Sequence, residues 1–298
     1  MLVSTQTHIF GNKFGEHDAV KFLARAGFDA LDYSMFKILD NTHPTGRDDY
    51  RDYAKSLKKT AEENNIIFRQ AHAPFPSYIQ EPENKNQEYY NEIIVHAIVR
   101  AIEIISILGG KIIVVHPITL LNCDYRKQKD FNIDFFNTLL PYCKKFNIKI
   151  ALENMWTYDE NAKKVTPGVC SPPHEFVDYL DSLDKNYFTA CLDLGHAEMR
   201  GSGAESAVDL INALGSERLG CLHIHDNDKI SDLHDLPFTQ KLNWNEIMRA
   251  LKNINYSGDF TFEADNFIEK FPAELYLRAA EFMLDTGRYF VGKYFKDF

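Results

Sequence analysis

Cysteine is scarce: Cys123, Cys143, Cys170, Cys191 and Cys221 are the only five in 298 residues, and no two form a C-x-x-C pair. An odd number at wide spacing excludes a disulfide framework and a thiolate metal cluster, and the thiols read as free in a reducing cytoplasm. No run approaches the roughly 20 consecutive apolar residues that a membrane-spanning helix requires. The N-terminus, Met-Leu-Val-Ser-Thr-Gln-Thr-His, has neither the basic start nor the apolar stretch of a secretory signal, so a cytoplasmic location is expected. Positive charge is also short, with 33 Lys and Arg against 43 Asp and Glu and a formal net charge of -10. Nucleic-acid binding draws its affinity from clustered Lys and Arg, so this balance argues against nucleic acid and for a small-molecule partner. The chain also shows no Gly-rich phosphate loop, Ser/Gly linker, low-complexity tract or long-period repeat.

What is present is an ordinary globular composition, 45% apolar and 26% charged, ample for a sizeable core. Short runs rich in β-branched and apolar residues alternate with amphipathic stretches along the whole length. The runs predict strands at 2–7, 30–33, 66–71, 111–116, 148–153, 188–193, 219–225 and 259–263. Helices are predicted at 16–26, 48–64, 86–108, 131–146, 174–183, 203–215, 243–253 and 271–289. Gly27, Gly109-Gly110 and Asn147 mark helix-to-strand turns, and Pro141 predicts a kink in the helix that contains it. Eight such alternations make an α/β protein, a single (β/α)8 TIM barrel spanning 1–298 as one domain, since such a barrel takes roughly 250 residues and loops absorb the rest. Long loops at 73–85, 117–130, 154–173 and 226–242 then fall on the face at the C-terminal ends of the strands, where such barrels keep their active sites.

Histidines and carboxylates recur at those ends. In order they are Gln-Ala-His72-Ala-Pro, Val-Val-His116-Pro, Ala-Leu-Glu153-Asn, Leu-Asp193-Leu-Gly-His196, Leu-His223-Ile-His225-Asp226 and Phe-Thr-Phe-Glu263-Ala. The period of two along each strand turns Glu153, Asp193, His223 and Glu263 toward the barrel axis, together with Ala151, Cys191, Cys221 and Thr261. Ile150, Leu152, Leu192, Ile224 and Phe262 then face the helices. Three carboxylates crowded with one imidazole repel unless a cation lies among them, so Glu153, Asp193, His223 and Glu263 are expected to hold a divalent metal. Zn, Mn, Co, Mg or Fe accepts such nitrogen and oxygen donors. His223 and His225 share a face, so parity does not separate them; the His-x-x-Asp spacing to Asp226 favours His223. His72, His116, His196 and His234 form a second tier, as further metal ligands or donors to substrate hydroxyls. Of the aromatic residues, Trp156 and Phe75 suit stacking on a sugar face, whereas Trp244 reads as packing.

Taken as a set, His72-Ala-Pro, His116-Pro, Glu153-Asn, Asp193-Leu-Gly-His196, His223-Ile-His-Asp226, Asp232-Leu-His234 and Glu263 resemble the xylose isomerase-like TIM-barrel superfamily. That group includes sugar-phosphate isomerases and epimerases, ketose 3-epimerases, inosose dehydratases and endonuclease IV. The resemblance implies a metal-dependent isomerase or epimerase acting on a sugar or sugar phosphate, and a homo-oligomer. It makes Glu153, Asp193, His223 and Glu263 the metal ligands, Glu153 and Glu263 the proton-exchanging pair, and His196 a substrate contact beside His72, His116, Phe75 and Trp156. Where ketose epimerases carry an arginine six positions after the metal histidine this chain has Lys229, placed with the substrate contacts. Asp159 stands where they carry a glutamate. The three-zinc pattern of endonuclease IV is also filled, by His72, His116, Glu153, Asp193, His196, His223, Asp232, His234 and Glu263, which implies further metals and an alternative activity on abasic DNA. A polyol dehydratase is the other alternative.

Overall fold

The computed structural model describes residues 1–75, 85–120, 123–161, 163–199 and 206–295. Most of the expected loop 73–85, and the expected start of a helix at 203, lie outside these residues. The strands are β1 (Val3–Gln6), β2 (Ala30–Ser34), β3 (Ile67–His72), β4 (Ile112–Val115), β5 (Lys149–Glu153), β6 (Trp156–Asp159), β7 (Lys164–Pro167), β8 (Phe188–Asp193), β9 (Leu219–His223) and β10 (Phe260–Phe262). The helices are α1 (His8–Phe14), α2 (Glu16–Ala26), α3 (Tyr50–Glu63), α4 (Lys85–Leu108), α5 (Tyr125–Phe146), α6 (Pro173–Asp181), α7 (Leu194–Glu198), α8 (Ala207–Arg218), α9 (Trp244–Asn253), α10 (Asp265–Glu269) and α11 (Tyr276–Tyr294).

Eight strands form one sheet in the order β10-β1-β2-β3-β4-β5-β8-β9, every neighbouring pair parallel. A parallel bridge from Ile224 to Phe262 joins the outer members and closes the cylinder. The fold is therefore the expected (β/α)8 barrel. Inside it, Val114, Ala151, Cys191 and Cys221 make a small apolar cluster of their own, while Ile150, Leu152, Leu192, Ile224 and Phe262 join the main core beneath the helices. Side-chain parity thus runs as the alternation predicts. Helix α9 shows how the outer layer is held: Trp244, Ile247, Met248 and Leu251 form its buried stripe, each such large side chain contributing about 1.5–3 kcal/mol.

Two register shifts adjust the inner face. In β3, Phe68 pairs with Leu31 and Gln70 with Asp32, so Arg69 is an extra residue that turns Gln70 inward beside Asp32. In β9, Gly220 is the extra residue, and a Cβ there would fall 2.5 Å from the Thr189 side chain. Positive φ at Gly27, Gly109 and Asn147 confirms the three helix-to-strand turns.

Several elements differ from expectation. Helix α5 starts at Tyr125 because Asp124 caps it, accepting from the Lys127 amide at 2.8 Å. It extends to Phe146 with Pro141, where a kink is expected, at an exposed position inside it. Helices α1, α7 and α10 and the β6–β7 hairpin are additions, and α7, α10 and the hairpin follow barrel strands directly at their C-terminal ends. Among the described residues no helix is long and apolar enough to cross a membrane.

Candidate metal centre

Glu153, at the end of β5, is the hub. Its Oε1 lies 3.2 Å from His223 Nδ1, and its Oε2 lies 3.0 Å from His116 Nε2 and 3.4 Å from His72 Nε2. Glu263 Oε2 approaches the same His223 Nδ1 at 2.8 Å. One donor atom each from Glu153, Asp193, His223 and Glu263 falls within 4.8 Å of all the others, the span of a single coordination sphere. The same holds for His72, His116 and Glu153, and for His196, His225, Asp232 and His234. The structure separates the two histidines that parity leaves equivalent. His223 faces Glu153 and Glu263, whereas His225 Nε2 lies 3.0 Å from Asp193 and its ring stacks on His234 at 4.1 Å.

Local chemistry explains the placement. Asp193 ends β8 and caps α7, with Oδ1 accepting from the His196 amide at 2.7 Å, so the Asp-x-x-His spacing is a helix start that also presents two donors. Asn154 pins the neighbouring strands together, accepting from the Asp193 amide at 2.8 Å and donating to the Asp193 carbonyl at 3.0 Å. Gly195 is required by close approach, since a Cβ there would lie 2.0 Å from the His225 ring.

The imidazoles are held as metal ligands are. His72 Nδ1 meets the Ala73 carbonyl at 2.7 Å, His196 Nδ1 the Asn154 carbonyl at 3.0 Å, and His234 Nδ1 the Glu263 carbonyl at 2.9 Å. A carbonyl only accepts, so each Nδ1 carries a proton, and on the neutral ring Nε2 turns an electron pair inward. His72 Nε2 and His116 Nε2 stand 3.1 Å apart beside a carboxylate oxygen. Asp232 Oδ2 likewise stands 3.3 Å from His196 Nε2 and 3.1 Å from His234 Nε2. Electron pairs and negative charge facing one another need a cation between them, so the donor set fits a divalent metal.

Above this floor opens a cavity of about 490 Å³ lined by Phe75, His116, Glu153, Trp156, His196, Asp232, His234 and Glu263 among others. Phe75 stacks on Phe36 at 4.6 Å, and both rings flank His72, while Trp156 Nε1 reaches Asp232 Oδ2 at 3.3 Å from the hairpin. The expected Phe75 and Trp156 are thus brought to the site, and Trp244 is buried with its Nε1 on Asp226 at 2.9 Å. Lys229 is not among the cavity's lining residues; it lines a separate cleft and pairs with Glu198 at 3.2 Å. Asp159 ends β6 opposite Lys164.

The family described as xylose isomerase-like TIM barrel matches residues 20–286. The chain belongs to it. Among curated relatives of this barrel, an uncharacterized protein of Methanocaldococcus jannaschii is 27% identical over 249 residues, 82% of this chain and 77% of the relative. An uncharacterized protein of Sinorhizobium fredii is 24% identical over 209 residues, 67% of this chain and 62% of that one. Among solved structures, D-psicose 3-epimerase in the presence of D-fructose superposes with a TM-score of 0.72 at 16% identity, covering 98% of this chain and 100% of that one. The IolI protein with a bound zinc atom gives 0.73 at 15% identity, covering 99% and 100%. At these identities the superpositions establish the shared barrel.

Sequence reading of this xylose isomerase-like barrel missed three polar residues beneath the donors. Gln6 Nε2 donates to Glu263 Oε1 at 2.7 Å, and Asp32 Oδ2 lies 2.7 Å from Gln70 Nε2 and 3.2 Å from His223 Nε2. Inward parity on β1, β2 and β3 is the signal that marks them.

Electrostatics follow from the crowding. Burial opposes charge on Glu153, but the charges and hydrogen bonds of His223 and His116 hold its carboxyl well below the ordinary range. Burial also disfavours charge on His234, yet the Asp232 hydrogen bond and the charges of Glu263, Asp232 and Asp193 push it up to about 10. In metal-free protein, protonated imidazole thus does the neutralising. A raised His contributes stability that is complete below its unfolded value, 6.5, and is lost as pH rises through about 10. A depressed Glu contributes above its ordinary 4.5 and loses that contribution on acidification. Chelated protein is therefore expected to be stabilised most by this cluster between pH 4.5 and 6.5 and to melt progressively lower toward pH 10, as thermal unfolding across that range will show.

Proposed function

We propose that the chain is a divalent-metal-dependent isomerase or epimerase that acts on a sugar or sugar phosphate by removing a proton next to a carbonyl. The observation that carries this reading is the pairing of Glu153 and Glu263 on one imidazole nitrogen, His223 Nδ1, at 3.2 and 2.8 Å, at the floor of the cavity that both carboxylates line. Glu153, Asp193, His223 and Glu263 hold the ion, which when bound draws electrons from a substrate carbonyl and lowers the cost of negative charge on the neighbouring oxygens. His72 and His116 beside Glu153, and His196, His225, Asp232 and His234, supply the donors of the additional sets.

The remaining chemistry belongs to the protein's own groups. One of the two glutamates takes the proton from the carbon that bears a hydroxyl beside the carbonyl and releases it to solvent, and the other, once it has taken up a proton from solvent, gives that proton to the same or a neighbouring carbon. His196 and His116 orient hydroxyls, and Phe75 and Trp156 cover the apolar face of the ring and limit water. The cavity of about 490 Å³ suits a monosaccharide. The sugar epimerase neighbours support this substrate class, and the zinc-bearing neighbour supports the metal.

The test is proton exchange. Ketoses and their phosphates incubated in D2O with zinc-, manganese-, cobalt-, magnesium- or iron-loaded protein are expected to gain deuterium next to the carbonyl and to give an epimer or isomer by NMR. Loss of water instead would identify a polyol dehydratase. The filled additional donor sets favour one further reading, a zinc phosphodiesterase; nicking of abasic duplex DNA without sugar exchange would replace the proposal with it.

A further inference from the structure

The structure assigns to Asp32 the task of orienting His223, a positioning role that rests on reading His223 as a metal ligand. Asp32 lies in the middle of β2, is fully buried inside the barrel, and faces no Lys or Arg that bonds to it among the described residues. Its Oδ1 has no hydrogen-bond partner, so the contacts that hold this buried carboxylate all run through Oδ2. Its Oδ2 collects two N–H groups, Gln70 Nε2–H at 2.7 Å and His223 Nε2–H at 3.2 Å. The two nitrogens stand 3.1 Å apart because they share that acceptor.

The consequence lies on the far side of the ring. Because Asp32 holds the Nε2 proton, Nδ1 is the nitrogen that gives up its proton when an ion enters, and its electron pair is then directed between Glu153 and Glu263. This is the opposite tautomer from His72, His196 and His234, whose Nδ1 atoms carry the proton against main-chain carbonyls. His223 lies deeper, where parallel pairing uses up the strand carbonyls, so a side-chain acceptor must take their place. The register shift at Arg69 is what brings Gln70 level with Asp32 and steadies that acceptor.

Asp32→Asn preserves shape but offers His223 an amide that can present N–H in place of an oxygen, which favours the wrong tautomer. Zinc affinity, measured by competition with a chromophoric chelator, is expected to fall by about 10–100-fold. Thermal unfolding of the chelated variant beside chelated wild type shows whether it folds. Equal zinc affinity in the two proteins overturns this role alone; a wild-type chain that takes up no zinc overturns the metal reading along with it. Should the variant not fold, long-range 1H–15N spectra of zinc-loaded wild type decide: His223 protonated at Nε2 and metallated at Nδ1 is the expected signature, and an unprotonated Nε2 contradicts it.

Discussion

Glu153→Gln is expected to reduce sugar turnover and deuterium exchange by about 10³-fold or more while leaving the barrel folded. Glu153 Oε1 faces His223 and its Oε2 faces both His116 and His72, so one carboxylate serves two of the donor sets. The amide keeps the volume but removes the charge, and its NH2 group points a donor at a nitrogen that must give an electron pair. On the proposed function, loss of the proton-transfer group and loss of a ligand then act together on the rate. Initial rates with the substrate identified by exchange, alongside thermal unfolding of chelated wild type and variant, measure both effects. Unchanged turnover would remove Glu153 from the chemistry, and a variant that melts far below chelated wild type would make its role structural.

Removing the metal is expected to be the largest perturbation of stability. The metal-free centre confines Glu153, Asp193, Glu263 and Asp232 within bonding reach of buried imidazoles, and only protons on those rings offset the charge. Zinc at about 1,000 times its dissociation constant adds about 4 kcal/mol to the folded state. For a chain of this size that corresponds to a rise of roughly 10 °C in the melting temperature. Calorimetry of EDTA-treated protein before and after zinc addition reads the shift, and coincident curves would show that these donors bind no ion in the folded state.

The convergence of Glu153, Asp193, His223 and Glu263 was legible because each ends a barrel strand or follows its last residue, and strand parity fixes which way a side chain points. Asp193 and His196 were readable for a second reason: an aspartate three residues before a histidine both caps a helix and presents the two groups on one side. Parity alone did not separate His223 from His225, since residues two apart share a face; the His-x-x-Asp spacing chose His223, and the structure sets His223 against Glu153 and Glu263 and His225 against Asp193. Asp32 and Gln6 escaped notice because their strands carry no His-Pro or Asp-x-x-His signature, and the extra residue at Arg69 that aligns Gln70 with Asp32 arises from pairing between strands.

Lys229, expected among the substrate contacts by its spacing from His223, stands in a separate cleft. The loop that carries it is organised by buried Asp226, which accepts from the amides of Phe238 at 3.0 Å and Leu242 at 3.0 Å. That gathering, with the Asp226–Asp235 bridge, accompanies a Lys229 that points to Glu198. Spacing along the chain predicts position in space only where regular strand or helix geometry connects the two residues. The hairpin carrying Trp156 makes the same point, since its turn lies in a segment read only as a long loop.

Metal analysis of the purified chain, paired with anomalous diffraction at the zinc edge, tests the central claim most directly. A bound ion with Glu153, Asp193, His223 and Glu263 as its ligands is expected, and it is expected to be lost when His223 is replaced by alanine. Protein that remains free of metal after incubation with zinc, or that binds zinc only away from the mouth of the barrel, would contradict it.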